Sequence, residues 1–251
     1  MSKNAIVFGG SGFLGSHVAD ALSENGYKVT LFDLKVSPYI RNDQTMVVGS
    51  ILDTEKVNYA MKGQDIVFHF AGLSDLDMGK DQPIEVANQN IIGTINLLNE
   101  SIKANIKRFV FASTIYVYSD LGGFYRCSKQ ATELFIEEFN KCYGLNFTVL
   151  RYGSLYGPRA SASNGIRRYL SQALQDGKIT YPGTGDEMRE YINVRDAARL
   201  SVDILSSEYK NKHIVITGHH PLKTRDMLEM VKEILKKDIT FEFSHTPNNF
   251  H

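Results

Sequence analysis

Tyr125 and Lys129 stand four residues apart, and Thr114 lies eleven residues before the tyrosine. A tyrosine four residues ahead of a lysine shares one face of a helix with it. A nearby ammonium favours phenolate, so this spacing predicts a tyrosine pKa pulled below its ordinary value of about 10. A tyrosine tuned that way takes the proton from an alcohol while hydride leaves the carbon. A hydroxyl from Thr114 could steady the same alcohol. Tyr-x-x-x-Lys alone is a weak signal, because ordinary helical surfaces supply many such pairs. Its meaning depends on what lies upstream.

Upstream, Gly9-Gly10-Ser11-Gly12-Phe13-Leu14-Gly15 follows a short apolar run, Ala5 to Phe8, and opens a helical pattern from Phe13 to Leu22. Gly9 allows the tight turn, Gly12 lets backbone approach a pyrophosphate at the helix N-terminus, and Gly15 lets helix and strand pack closely. The next apolar run, Val29 to Phe32, ends at Asp33. A carboxylate there accepts both hydroxyls of an adenine ribose and repels a 2′-phosphate, so the hydride acceptor is predicted to be NAD. Lys35 nearby tempers that preference. Asp53 carries two readings: a contact to the adenine amine, or the N-cap of a helix starting at Thr54.

These sites need elements to hold them. Asp65 to Phe70, Phe109 to Ala112 and Phe147 to Leu150 repeat the apolar run, with helical stretches at Thr54 to Met61, Val86 to Ala104 and Gln130 to Tyr143. Short apolar strands alternating with helices imply βαβ units and a parallel sheet covered on both faces. The predicted fold is α/β, a doubly wound parallel Rossmann sheet with a small C-terminal α/β substrate lobe. After Arg151 glycines and prolines punctuate the chain. Val194 to Leu205 and Thr224 to Leu235 read as helices there, and His213 to Thr217 and Ile239 to Phe243 as strands. Residues 1–152 are expected to form the NAD-binding domain and 153–251 the lobe, interleaved with it. The end, 246–251, reads as loop and suits a truncated or processed chain.

Composition narrows the class. Lys+Arg and Asp+Glu both number 28, so charge gives no argument for nucleic acid or an anionic membrane. The hydrophobic content of 43% is enough for a core in a chain of 251 residues. Cys127 and Cys142 are too few for a disulfide framework and suit a reducing cytosol. Cys127 is expected to be a packing residue, and His69 a packed strand residue. The N-terminus lacks a signal-peptide core and no segment approaches the ~20 apolar residues of a membrane span, so a cytoplasmic protein is expected. His219 and His220 lack a partner set, and no metal is predicted.

With these residues in place the chain resembles the extended short-chain dehydrogenase/reductases, in particular their nucleotide-sugar epimerase/dehydratase family. The glycine spacing fits, as do His69-Phe70-Ala71-Gly72, the helix from Asn90 to Leu98, Phe111-Ala112-Ser113-Thr114, the segment Arg151 to Pro158, and Gly185 to Asp196. The resemblance implies that Tyr125 is the general acid/base, that Lys129 holds the nicotinamide ribose, and that Thr114 bonds the reacting hydroxyl with Ser113 beside it. It implies a cofactor set of Gly9, Gly12, Phe13, Leu14, Gly15, Asp33, Leu52, Asp53, Phe70, Ala71, Gly72, Tyr125, Lys129 and Tyr152. The implied substrate set is Ser74, Thr114, Ser154, Arg167, Arg168, Tyr181 and Arg189, with Arg189 meeting the substrate diphosphate. For Arg167 and Arg168 a solvated helix start is an equal reading, and for Tyr181 an ordinary strand end. The family also implies a homodimer built from the helices near 85–104 and 125–143.

The departures are informative. The family's dehydratases follow the catalytic threonine with Asp-Glu; here Ile115 and Tyr116 stand there. Its epimerising reductases put a cysteine where Ile115 is. The segment between Thr114 and Tyr125 is much shorter than usual, which predicts a more open pocket, and the asparagine usual at Ser154 is absent. The implied activity is an NAD-dependent oxidation at C4 of a nucleotide sugar, by a 4-epimerase or a 4-dehydrogenase. The Thr114 to Ser119 run looks like members acting on GDP-heptose in bacterial capsule or lipopolysaccharide synthesis. A 4,6-dehydratase, a 4-keto reductase and a non-catalytic nucleotide-binding sensor are the competing readings.

Overall fold

The computed structural model describes residues 3–244, apart from the side chains of Asp77 and Met78. The predicted loop at 246–251 lies outside the described residues. Apolar runs become the central strands: β1 (Asn4–Phe8), β2 (Lys28–Asp33), β3 (Gln44–Val48), β4 (Ile66–His69), β5 (Arg108–Thr114) and β6 (Phe147–Tyr152). Between them lie α1 (Phe13–Glu24), α2 (Thr54–Met61), α3 (Leu76–Asp81), α4 (Pro83–Val86), α5 (Gly93–Lys103) and α6 (Gly123–Tyr143). Past residue 152 follow β7 (Ser154–Tyr156), α7 (Gly165–Asp176), β8 (Lys178–Tyr181), β9 (Met188–Asn193), α8 (Val194–Asp203), β10 (Lys212–Ile216), β11 (Pro221–Lys223), α9 (Thr224–Leu235) and β12 (Thr240–Phe243).

The main sheet has seven strands in the order β10-β6-β5-β4-β1-β2-β3, all parallel. Helices cover both faces. On one, Val18, Ala19 and Leu22 of α1 join Ala198 and Val202 of α8 in a core with Val7 and Leu31. On the other, Val57 and Met61 of α2, Leu97 and Leu98 of α5 and Ile136 of α6 pack on Phe8, Phe109 and Phe111. Chain direction along the sheet reverses between β1 and β4, the crevice where such sheets bind ligands.

Residues 153–244 divide among the main sheet, a small separate core and a three-stranded sheet. Helix α8 and strand β10 return to the main sheet. Helices α7 and α9 with β8 and β12 form a separate small core around Tyr169, Ile179, Leu228 and Ile239. Strands β7, β9 and β11 make a three-stranded sheet.

The stretch expected as one helix from Val86 to Ala104 is α4, a π-helical turn at Ala87–Ile92, and α5. The widened turn carries the buried Asn90, whose Oδ1 accepts from Leu73 N at 2.8 Å and whose Nδ2 donates to Ser128 Oγ at 2.9 Å. A π-turn of this kind commonly marks a functional site; this one ties the loop after β4 to the residue before Lys129. Cys127 is exposed, which corrects its expected packing role: it lies on the side of α6 turned away from the sheet. No helix among the described residues is long and apolar enough to cross a membrane.

Candidate active site

One cavity of about 800 Å³ opens along the carboxyl ends of the central strands. It collects Gly9, Gly12, Phe13, Leu14, Gly15, Asp33, Phe70, Ala71 and Gly72 from the first half of the chain. At its base lie Thr114, Tyr125, Lys129 and Tyr152, and over it Ser74, Ser154, Arg168, Tyr181 and Arg189. Leu52, Asp53 and Arg167 are not among the residues that line it. Asp53 instead caps α2, accepting from Lys56 N at 3.1 Å. Ile51 lines the cavity while Leu52 is exposed. Arg167 donates Nη1 to the Ala160 carbonyl, whereas its neighbour Arg168 faces the cavity with its guanidinium 5.3 Å from the Tyr169 ring.

At the cofactor end, a Cβ on Gly15 would strike the Gly9 carbonyl oxygen, and Gly9 itself has φ +82° with backbone of Ala71 2.6 Å from where a Cβ would sit. Glycine is therefore required at both. Gly12 precedes α1 with no side-chain cap, so the first N–H groups of the helix are left to satisfy an anion. The Asp33 carboxylate is fixed at the tip of β2 by Ser11 N at 2.9 Å and Leu34 N at 2.7 Å. These features fit a dinucleotide: pyrophosphate on the helix head, ribose hydroxyls on Asp33. Asp33→Ala is expected to weaken NAD by about tenfold or more and to erase discrimination against NADP, as measured by calorimetry with both cofactors. A wild type that prefers NADP would contradict the assignment.

At the reacting end, Thr114 closes β5 and its Oγ1 accepts from Tyr116 N at 3.2 Å. The Thr114 side chain lies close enough to the Tyr125 phenol to favour its ionised form. Lys129 Nζ donates to the Ala112 carbonyl at 2.7 Å and stands 4.5 Å from the Phe111 ring centroid and 5.6 Å from that of Tyr125. Burial pushes the Lys129 pKa down to about 8, against the opposing pull of Glu133. It also raises Tyr125 well above the ordinary phenol, outweighing the effect of Thr114. The expected lowering by Lys129 is thereby corrected: the same desolvation penalises both charged forms. The protein alone keeps the tyrosine protonated. NAD⁺ bound in this cavity would add positive charge that favours its ionised form.

Behind the pair runs a second polar layer that was not anticipated. Glu133, one turn past Lys129 and buried, accepts from Ser113 Oγ and from Arg151 Nε at 3.1 Å and Nη2 at 2.5 Å. The carboxylate holds the Arg151 guanidinium above its ordinary range. Tyr152 bonds Ser201 Oγ at 2.7 Å through its hydroxyl, leaving its ring as cavity wall against Phe70. His69 is buried and bonds Thr94 Oγ1 at 2.8 Å. Burial, with Lys129 nearby, holds its pKa well down.

At the far end Arg189 meets phenols. Burial opposes its charge, but Tyr116 and Tyr181 nearby hold it above its ordinary range. Among the described residues no carboxylate is recorded in a salt bridge with it. Tyr116, Tyr169 and Tyr191 also line the cavity. Tyr116 was legible: it is the second residue after Thr114, where the chain turns off the strand end. Among the described residues no cluster of three His, Cys, Asp or Glu could hold a metal ion.

A Rossmann sheet with a glycine turn at the switch point and a Tyr-Lys-Thr cluster at its base defines a nicotinamide-dependent oxidoreductase of the short-chain type. The sequence model of the NAD dependent epimerase/dehydratase family matches residues 5–217, and the chain belongs to that family. It is an NAD-dependent enzyme of the nucleotide-sugar epimerase/dehydratase kind. It is 26% identical over 251 residues to a putative UDP-glucose 4-epimerase of Methanocaldococcus jannaschii, covering 90% of this chain and 81% of that one. A UDP-N-acetyl-alpha-D-glucosaminuronate decarboxylase of Bacillus cytotoxicus is also 26% identical, over 93% of this chain and 81% of the other. Among solved structures, the UDP-glucose 4-epimerase of Thermotoga maritima with UDP-glucose superposes with a TM-score of 0.91 at 29% identity, over 98% of this chain and 86% of that one.

Proposed function

We propose that the protein oxidises the C4 hydroxyl of a nucleotide-activated sugar and returns the hydride to the opposite face, as a 4-epimerase. The carrying observation is that Tyr125, Thr114 and Lys129 line the same cavity as Arg189, with Lys129 Nζ 5.6 Å from the Tyr125 ring and no carboxylate in a salt bridge with Arg189 among the described residues. Tyr125 takes the C4–OH proton and later gives it back. Thr114 holds the reacting oxygen between the two events, and Lys129 supplies positive charge and a donor for the ribose. NAD supplies the hydride acceptor. Arg189, a guanidinium without a carboxylate partner, suits a diphosphate. Dehydration is disfavoured because Ile115, standing where the family's dehydratases carry an acid, cannot transfer a proton.

The similar proteins are named for UDP-linked sugars, so UDP-sugars come first in a screen, with GDP-heptose, suggested by the Thr114 to Ser119 run, as a separate arm. The test is product chromatography with mass spectrometry after incubation with NAD. The expected product has unchanged mass and inverted C4. A 4-keto-6-deoxy product that has lost water would overturn the reading, and accumulating NADH would favour the 4-dehydrogenase. We also propose a homodimer across the helices near 85–104 and 125–143. Its support is the exposure of Ile92, Leu134, Phe135 and Tyr143 along them. A cytosolic setting suits the two exposed free thiols.

A further inference from the structure

The segment between β7 and α7 ends as cavity wall: Ser163, Asn164, Gly165, Ile166 and Arg168 line the cavity. Its first residues seat instead on the dinucleotide-binding half. Gly157 has φ +135°, and a Cβ there would come within 2.9 Å of Val194 Cγ1 at the head of α8. His17 Nε2, on α1, donates to the Pro158 carbonyl at 3.0 Å. Arg159 Nη2 meets the Asp20 carboxylate, one turn further along α1, at 2.8 Å. Its guanidinium carbon stands 4.6 Å from the ring centroid of Tyr39, on the connection that leaves Asp33. Arg159 is not among the residues that line the cavity.

Arg159 has φ +64°, a left-handed backbone that is unfavourable for a residue with a Cβ. Such a conformation persists where the surrounding contacts over-determine it. Here those contacts come from the side chain. The ion pair is largely withdrawn from solvent on both sides, and Arg159 Nη1 is enclosed. An arginine suits this seam, because its planar group stacks on an aromatic face while its edge pairs with a carboxylate. The anchor is then carried on to the cavity wall. The buried Ala160 accepts through its carbonyl from Arg167 Nη1, and Asn164 Nδ2 donates to the Leu155 carbonyl at 2.8 Å.

Building on the nucleotide-sugar reading above, we infer that Arg159 is a positioning residue: it clamps the wall at residues 163–168 to the dinucleotide-binding half, and so sets the affinity for the nucleotide sugar without touching it.

Arg159→Gly removes the clamp but suits the left-handed backbone, so its melting temperature is expected within about 4 °C of wild type. With NAD saturating, KM is measured for whichever of UDP-glucose, UDP-N-acetylglucosamine and GDP-mannose the wild type accepts. In Arg159→Gly it should rise about five- to twentyfold, with kcat within about threefold. Arg159→Lys, which keeps the charge opposite Asp20, should restore part of that rise. Asp20→Asn should raise KM by a similar factor, and the double variant no further, because both changes open one clamp. Hydrogen exchange without ligand should quicken at 160–166 and not in β1. Unchanged KM or unchanged exchange in Arg159→Gly, or multiplied losses in the double variant, would overturn the inference and leave the nucleotide-sugar reading standing. A wild type that turns over no nucleotide sugar would overturn both.

Discussion

Tyr125→Phe is expected to lower turnover of every accepted nucleotide sugar by about 10²- to 10⁴-fold, the range for loss of a positioned acid/base group. Nucleotide-sugar and NAD affinities should stay close to wild type, because the ring remains and only the hydroxyl is lost. Initial rates by product chromatography, with calorimetry for binding, separate the two. The size of the effect follows from where the phenol sits. Burial raises its pKa, and it lines the cavity beside Thr114 and Lys129. Ser113 is no substitute, since its hydroxyl is committed to Glu133. Wild-type turnover in Tyr125→Phe would remove the catalytic assignment altogether.

The residues that make this prediction were legible because each is fixed by local chemistry. The Gly9 to Gly15 turn has few other uses after an apolar run and before a helix. Tyr125 and Lys129 fall on one helix face by spacing alone. Asp33 sits at a strand end that periodicity locates. What could not be read depends on neighbours distant in sequence. The sign of the Tyr125 shift is set by how deeply the phenol is enclosed, and spacing to Lys129 carries no such information. Strand β3 is a short edge strand, Gln44–Val48, whose alternation is weak. Helix α7 was legible only as one of two readings of Arg167 and Arg168, because glycine and proline dominate its surroundings, although Asn164 caps it by accepting from Arg167 N at 3.2 Å. The role of β10 in the main sheet was hidden because a short apolar run fits a lobe strand as well as a sheet strand. Tyr116 was read only for the acid it replaces.

Glu133 shows how the second layer could outweigh the first in stability. Its carboxylate is 7% exposed and grips Arg151, itself 18% exposed, through two nitrogens. Glu133→Ala leaves that half-buried guanidinium without its carboxylate partner, with the Tyr118 hydroxyl at 2.5 Å and the Tyr118 ring centroid at 4.8 Å still against it. Breaking a buried pair from one side costs about 3–5 kcal/mol. For a chain of this size that is a fall in melting temperature of about 6–20 °C. Removing both partners, as in Glu133→Leu with Arg151→Met, should recover much of the loss, since replacing a buried pair by apolar groups is often neutral. Thermal denaturation of wild type, Glu133→Leu, Arg151→Met and the double variant forms a double-mutant cycle. Equal melting temperatures for wild type and Glu133→Ala would mean the pair contributes no stability. The cycle has a functional reading as well. Ser113 precedes Thr114, and Lys129 is one turn before Glu133, so the network braces both strand and helix beneath the reacting atoms. A double variant that regains stability but not turnover would identify the ion pair as a positioning device for Thr114 and Lys129. One that regains both would reduce it to packing.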